Sequence, residues 1–249
     1  MSETDLDLLF ENIDREIDPR CEMLLYARHD MSDEDAIAYY FDSAEYPLRH
    51  LVANLENGGV DLESLSALDF ASGYGRFTRY FVKLFGEVTA ADVDPQMMNF
   101  CASRFGCDTQ LSEEGGLCAE LAEPRFDLTW CFSLFTHLTR GHWEQWLAAL
   151  WKSVAPGGRL VFSTHGYDLF ELMDPKRFAG PENQQREFVF WGSNETGGRL
   201  DAAIYGTTIV TTDFVHRQAQ RLPQIEAIES FPMGAFDRYH NMHVLRRGR

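Results

Sequence analysis

Residues 4–65 carry apolar positions at helical spacing. Leu48, Leu51, Val52 and Leu55 make one stripe, the i, i+3, i+4, i+7 interval of a helix with a single buried face. Asn57-Gly58-Gly59 stops it. From Ala67 the period changes. The short apolar run Ala67-Leu68-Asp69-Phe70 predicts a strand ending in a glycine-rich turn, and Phe77, Tyr80, Phe81, Leu84 and Phe85 predict a helix ended by Gly86. Residues 88–92 read as a second strand. Asp94-Pro95 then opens another helix, with Asp at the N-cap, Pro at the first helical position, and Met97, Cys101 and Phe105 facing inward.

The alternation continues with a short strand near residues 109–111 and a clear one over 126–132. A helix follows, with Trp143, Trp146, Leu147, Leu150, Trp151 and Val154 on its apolar side. Pro156-Gly157-Gly158 breaks it, and residues 159–163 form a fifth strand. Strands alternating with amphipathic helices imply right-handed βαβ units and a parallel sheet covered on both faces. The fold expected is therefore a doubly wound, mostly parallel α/β sheet. It carries an N-terminal helical cap over 1–65 and a main domain over 66–249.

After Thr164 the alternation stops for about forty residues rich in Gly and Pro, a length that marks a functional loop. This insertion, about 166–205, leaves the carboxyl end of the fifth strand and is expected to cover a pocket there. Short β-like pieces at 188–191 and 204–210 suggest a hairpin there. Thr212 is expected to cap a helix carrying Phe214, Val215, Ala219 and Leu222, and strands at 225–230 and 242–245 should close the sheet as an antiparallel edge hairpin.

Composition narrows the function. The chain has 249 residues, enough for one large α/β domain, and its Lys+Arg 22 against Asp+Glu 39 leaves a net charge of -17. A nucleic acid would meet a repulsive field, so no nucleic-acid partner is expected. The odd set Cys21, Cys101, Cys107, Cys118 and Cys131 has no C-x-x-C spacing, which signals neither disulfide framework nor metal site and suits a reducing cytoplasm. The acidic N-terminus has no signal-peptide core and no apolar run approaches a membrane span, so no membrane partner is expected.

In a doubly wound sheet the ligand sits at the carboxyl ends of the strands. Here the first strand ends in Asp69-Phe70-Ala71-Ser72-Gly73-Tyr74-Gly75-Arg76, and Asp92 closes the second at close to the ~20-residue spacing of a carboxylate that accepts ribose hydroxyls. That much suits any adenosine-containing cofactor. A dinucleotide fingerprint needs a third glycine, and Thr78 stands there instead. No Gly-Lys-Ser/Thr follows, so a phosphate-binding loop is excluded.

These residues resemble the class I S-adenosylmethionine-dependent methyltransferases. The resemblance rests on residues 68–76, on Asp92-Val93-Asp94-Pro95, on Phe126-Asp127-Leu128 and on Pro156-Gly157-Gly158, in that order along the chain. It implies a Rossmann-like methyltransferase fold with S-adenosylmethionine as cofactor. Asp69, Ala71, Ser72, Gly73, Tyr74, Gly75 and Arg76 would line the cofactor, with Phe132 after the fourth strand. Asp92 would hold its ribose, and the adenine would lie near Val93, with Ser112 and Glu113 as candidate contacts. One position departs from the family: its first glycine is Ala71 here, which is acceptable if φ is negative. The stretches 133–138 and 163–166 look like a subgroup acting on small molecules or sugars, which favours a small-molecule acceptor.

Two histidines are candidate bases. His137 follows the fourth strand and His165 the fifth, and an imidazole titrating near pH 6.5 suits deprotonation of a hydroxyl or ammonium acceptor. The alternative for each is a structural histidine holding its loop through a backbone hydrogen bond. Tyr39, Tyr40, Phe41 and Tyr46 either close over a sulfonium cation or pack the N-terminal helices. Rival functions are a non-catalytic cofactor-binding subunit, a NAD-dependent oxidoreductase, and transfer of another group from a decarboxylated cofactor.

Overall fold

The computed structural model describes residues 3–113, 117–169, 186–192 and 201–249. The chain divides into two compact units, Met1–Glu114 and Gly115–Arg249. In the first unit, α1 (Glu3–Glu11), α2 (Glu22–Asp30) and α3 (Asp33–Asn57) precede β1 (Ser66–Phe70). The Ser32 side chain accepts the Asp35 N–H to start α3, and Asp33, Glu34 and Asp35 fill its first turn, where carboxylates meet the positive end of the helix dipole. Its buried face includes Tyr40, Phe41, Leu48, Leu51, Val52 and Leu55. The apolar stripe read from the sequence is thus part of that face.

From β1 the first unit runs through α4 (Thr78–Leu84), β2 (Glu87–Asp92), α5 (Pro95–Phe105) and β3 (Asp108–Leu111). The strands lie in the order β3-β2-β1. Both pairs are parallel, Phe70 opposite Ala91 and Asp92 opposite Leu111, so the carboxyl ends gather at one edge. Asp94 caps α5 by accepting the Gln96 N–H, with Pro95 in the first turn and Gly106 at φ 67 closing the far end. That is the pattern its sequence predicts.

The second unit contains β4 (Phe126–Cys131), α6 (Arg140–Ser153), β5 (Val154–Thr164), β6 (Phe188–Gly192), β7 (Gly206–Val210), α7 (Thr212–Ala219), β8 (Ile225–Phe231) and β9 (Asn241–Arg247). Its main strands follow the order β4-β5-β9-β8. β4 and β5 are parallel, while β9 is antiparallel to both β5 and β8, the closing hairpin expected. Trp130, Trp143, Trp151, Phe135, Phe162 and Phe214 are fully buried in its core. The Trp143 ring stands edge-on to Phe135 at 4.9 Å and to Phe214 at 5.0 Å.

Two local expectations are corrected. β5 begins at Val154, directly after α6, and not beyond Pro156-Gly157-Gly158. The β4–β5 register shifts between Phe126 and Leu128. At Gly158 a Cβ would stand 2.9 Å from the carbonyl oxygens of Phe126 and Asp127, so the glycine admits a close backbone approach instead of ending an element. The cap of α7 is Thr211, whose hydroxyl accepts the Phe214 N–H at 3.1 Å. In a Thr-Thr pair either hydroxyl satisfies the sequence rule.

Of the insertion at 166–205, residues 170–185 and 193–200 lie outside the described residues. β6 and β7 form the antiparallel hairpin expected. Backbone hydrogen bonds tie β7 to the loops leaving β4 and β5: Thr208 N–H to Thr136 (2.7 Å), Gly206 N–H to His137 (2.8 Å) and Val210 N–H to His165 (3.0 Å). Among the described residues no helix is long and apolar enough to cross a membrane.

Candidate active site

The loop from β1 into α4 and the end of β2 make a cradle within the first unit. Asp92 is its centre. Its carboxylate accepts the Gly73 N–H at 2.9 Å on one oxygen and the Val93 N–H at 2.7 Å on the other. Each oxygen keeps a lone pair, enough for a pair of ligand hydroxyls. Burial pushes the Asp92 pKa up, against the backbone N–H groups of Gly73, Val93 and Asp94 that pull it down.

The two glycines serve different ends. Gly73 has φ 55 and nothing within 4 Å of where a Cβ would stand, so its face is open. Gly75 has φ 71, and a Cβ there would meet the Phe105 ring at 2.3 Å, so it lets the loop pack on α5. Both conformations suit glycine. Ala71 does not share that freedom. It sits at φ 57, so the negative φ under which an alanine would be acceptable there is not met. An L side chain in the left-handed region costs roughly 1–2 kcal/mol.

Several residues expected to line the cofactor also make contacts that hold the loop in shape. Asp69 is 1% exposed and accepts the Thr78 hydroxyl at 2.6 Å. Burial pushes its pKa up to about 7. Ser72 donates its N–H to Ala91 on β2, at 3.2 Å. The Arg76 guanidinium reaches back to the Ser43 hydroxyl at 2.9 Å, and the buried Tyr74 ring packs edge-on to Phe100 at 5.5 Å. Val93 is 40% exposed beside Asp92. Ser112, whose N–H bonds to Asp92 O at 2.9 Å, is buried and its hydroxyl has no hydrogen-bond partner. A ligand group would satisfy it.

Sequence reasoning missed Arg79. It is fully buried and donates to the carbonyls of Gly75 (3.0 Å), Asp14 (2.9 Å) and Glu16 (3.1 Å) and to the Tyr40 hydroxyl (3.1 Å). The guanidinium also lies 5.2 Å from the Tyr40 ring and 5.5 Å from that of Phe41. These two aromatics therefore pack around a buried arginine, the packing alternative stated for them. Arg79 fastens the segment before α2 to the cradle loop.

In the second unit a histidine cluster forms at the carboxyl ends of β4 and β5. His137 donates its Nδ1–H to the Gly206 carbonyl at 2.7 Å and stacks on Tyr205 at 4.6 Å. Burial lowers its pKa to about 4, away from the value near 6.5 that recommended it as a base. Burial also holds His165 well below its ordinary value, and its Nδ1 has no partner. Its ring stacks on His240 at 5.0 Å. His240, which the motifs do not reach, pairs Nδ1 with Asp237 at 2.6 Å and sets Nε2 3.3 Å from the Ser133 hydroxyl. The Phe132 ring meets His240 edge-on at 4.7 Å. Among the described residues no group of His, Cys, Asp and Glu could hold a metal ion.

With this geometry in place, the comparisons are consistent. Residues 67–158 match the family model described as a methyltransferase domain. A solved S-adenosylmethionine-dependent methyltransferase from Clostridium acetobutylicum ATCC 824 gives a TM-score of 0.59 at 11% identity, covering 88% of this chain and 100% of that one. The N-methyltransferase NodS from Bradyrhizobium japonicum WM9, in complex with S-adenosyl-l-homocysteine, gives 0.54 at 13% identity, covering 92% and 100%. The DhpI–SAH complex gives 0.54 at 20% identity, covering 91% and 96%. No curated protein matches the sequence. The fold is the mostly parallel, Rossmann-like class I methyltransferase fold. Residues 67–158 are thus similar to a methyltransferase domain, and the solved S-adenosylmethionine-dependent methyltransferases share the fold of this chain.

Proposed function

We propose that this protein transfers the methyl group of S-adenosylmethionine to a small-molecule acceptor. The observation that carries the reading is the cradle: an open Gly73 face beside an Asp92 carboxylate with spare lone pairs, next to a buried, unpartnered Ser112 hydroxyl. Asp92 would accept the ribose hydroxyls, Val93 would lie along the adenine, and Ser112 would take a polar edge of the ring. Ala71, Ser72 and Gly73 would carry the backbone past the ligand, while Asp69, Tyr74, Gly75 and Arg76 keep the loop in shape. The cofactor, when bound, supplies an electrophilic methyl group on a sulfonium. A small acceptor is favoured over a nucleic acid by the net charge of -17.

One observation favours a second reading, a non-catalytic cofactor-binding subunit: the strained Ala71 in place of the family's glycine. Two measurements on the full chain decide. Calorimetry should show binding of S-adenosylhomocysteine and none of NAD, with Asp92→Ala weakening binding at least about tenfold, or ~1.4 kcal/mol. Radiolabelled methyl donor incubated with a metabolite extract should give labelled small molecules. Binding without transfer would select the subunit reading, and unchanged affinity in a folded Asp92→Ala would remove the ribose assignment.

A further inference from the structure

Resting on the methyl-transfer reading, we propose that His240, oriented by Asp237, is the general base, and that the acceptor therefore presents a hydroxyl or an ammonium group. A base must hold a lone pair toward the acceptor and be stabilised when it becomes a cation. The four buried or half-buried histidines of this region differ in what stands behind the ring. His137 has a backbone carbonyl. His243 has hydroxyls on both nitrogens, Thr164 at 2.9 Å and Ser230 at 2.7 Å. His165 has no partner at Nδ1. Of these four, His240 has a carboxylate.

Asp237 is itself fixed. It is 4% exposed, and its Oδ1 accepts the N–H groups of Tyr239 at 3.0 Å and His240 at 2.9 Å as well as the imidazole. Burial works to raise its pKa, but these bonds, His240 foremost, hold it below the usual carboxylate value. An ionised acceptor at Nδ1 keeps the proton there and leaves Nε2 as the accepting nitrogen, facing the Ser133 hydroxyl at 3.3 Å, the role an aspartate plays behind a catalytic imidazole. The other titratable group against the ring is His165, and His137 is close enough to act on it electrostatically.

The placement suits an acceptor. His240 directly precedes β9, whose Asn241 pairs with Thr164 at the end of β5. Ser133, which marks the direction of Nε2, stands just past the end of β4. Ligands of open α/β sheets bind at these carboxyl ends. Ser133 is held at φ 62 by its N–H to the Ser163 hydroxyl at 2.7 Å and its carbonyl to the Thr136 hydroxyl at 2.8 Å. Backbone strain of this kind collects at functional sites. The Ser133 N–H is thus already used, and it is not open to stabilise an oxyanion, so the Ser-His-Asp arrangement is read as a base and not as a nucleophile.

In the step proposed, the acceptor's O–H or N–H bond breaks and its proton passes to Nε2. The freed electron pair forms the new bond to the methyl carbon as the carbon–sulfur bond breaks, its electrons going to sulfur. The imidazolium then returns its proton to water. His240 is the catalytic residue and Asp237 a positioning residue.

The test uses the full chain, radiolabelled S-adenosylmethionine and the metabolite fraction that the wild type labels. His240→Gln should lower turnover about 10²–10⁴-fold with S-adenosylhomocysteine affinity within about twofold by calorimetry. Asp237→Asn should lower kcat with little change in KM. Nitrogen NMR of the His240 ring should find the proton on Nδ1 in the wild type and on Nε2 in Asp237→Asn. Wild-type turnover in a folded His240→Gln, a proton on Nε2 in the resting wild type, or covalent labelling of Ser133 by a fluorophosphonate would each overturn the assignment alone. A wild type that binds S-adenosylhomocysteine but labels nothing would overturn methyl transfer, and the base with it.

Discussion

The cradle of the first unit and the histidine cluster of the second are built in opposite ways. The cradle is a run of consecutive residues, 69–76, closed by Asp92 and backed by buried polar groups. The cluster draws Ser133, His137, His165, Asp237 and His240 from segments far apart in the chain. Their ionisation also shifts in opposite directions: burial raises the pKa of the cradle's Asp69 and lowers those of His137 and His243. A site made of one loop and one crossover can thus be written locally, while a cluster drawn from distant segments is assembled by the fold.

The largest effect expected follows from that opposition. Asp69 releases its proton near 3.8 when unfolded and holds it to about 7 when folded. Between those values the native state binds more protons, so this group's contribution falls as pH rises. His243 runs the other way. It takes up a proton near 6.5 when unfolded and only at about 3 when folded, so its contribution is full above 6.5 and is lost as pH falls. Each window is worth on the order of 4 kcal/mol at about 1.4 kcal/mol per pH unit. Relative to wild type, Asp69→Asn should therefore gain stability from pH 4 to 7, and His243→Gln should gain from pH 6.5 down to 4, both measured by urea unfolding. Parallel pH profiles for the two variants would break the contrast.

How much was legible follows the same division. The strands and helices from β1 to β5, the hairpin β6–β7 and the closing strands were readable because each rests on local periodicity and turn residues. Asp92 was readable because its spacing from the loop is set by one βα crossover. The strain at Ala71 was left open because a side chain does not report its φ. Asp237 and His240 lie beyond the matched residues 67–158, and a bare Asp-x-x-His gave no sign that β9 would bring them beside Ser133. Arg79 was hidden for another reason. Its partners Asp14, Glu16 and Gly75 offer backbone carbonyls, which leave no mark in the sequence.

Arg79 gives the next effect in size and asks how far the cradle depends on chain outside its motif. Replacing it by Met keeps much of the volume but leaves the carbonyls of Asp14, Glu16 and Gly75 and the Tyr40 hydroxyl without this donor. Each buried group left unsatisfied costs about 1–3 kcal/mol, so with partial relaxation the loss should be about 3 kcal/mol in urea unfolding. S-adenosylhomocysteine affinity should fall as well, because the loop loses its anchor. A stable Arg79→Met with unchanged affinity would show that the motif folds without the N-terminal segment.

The smallest effect is expected at Ala71, and its sign is opposite to that of most substitutions. Ala71 stands at φ 57, where a Cβ crowds the backbone carbonyl and glycine does not. Ala71→Gly relieves that strain but adds freedom to the unfolded chain, which offsets part of the gain. At a position with positive φ the strain outweighs the entropy, leaving a net stabilisation of about 0.5–1 kcal/mol. The substitution also removes a methyl group from the cradle loop. If the alanine only tolerates its position, cofactor affinity should rise with stability. If Ala71→Gly is more stable yet binds S-adenosylhomocysteine more weakly in calorimetry, the methyl group is a ligand contact, and the departure from the family's glycine is a feature of this cradle and not a cost it bears.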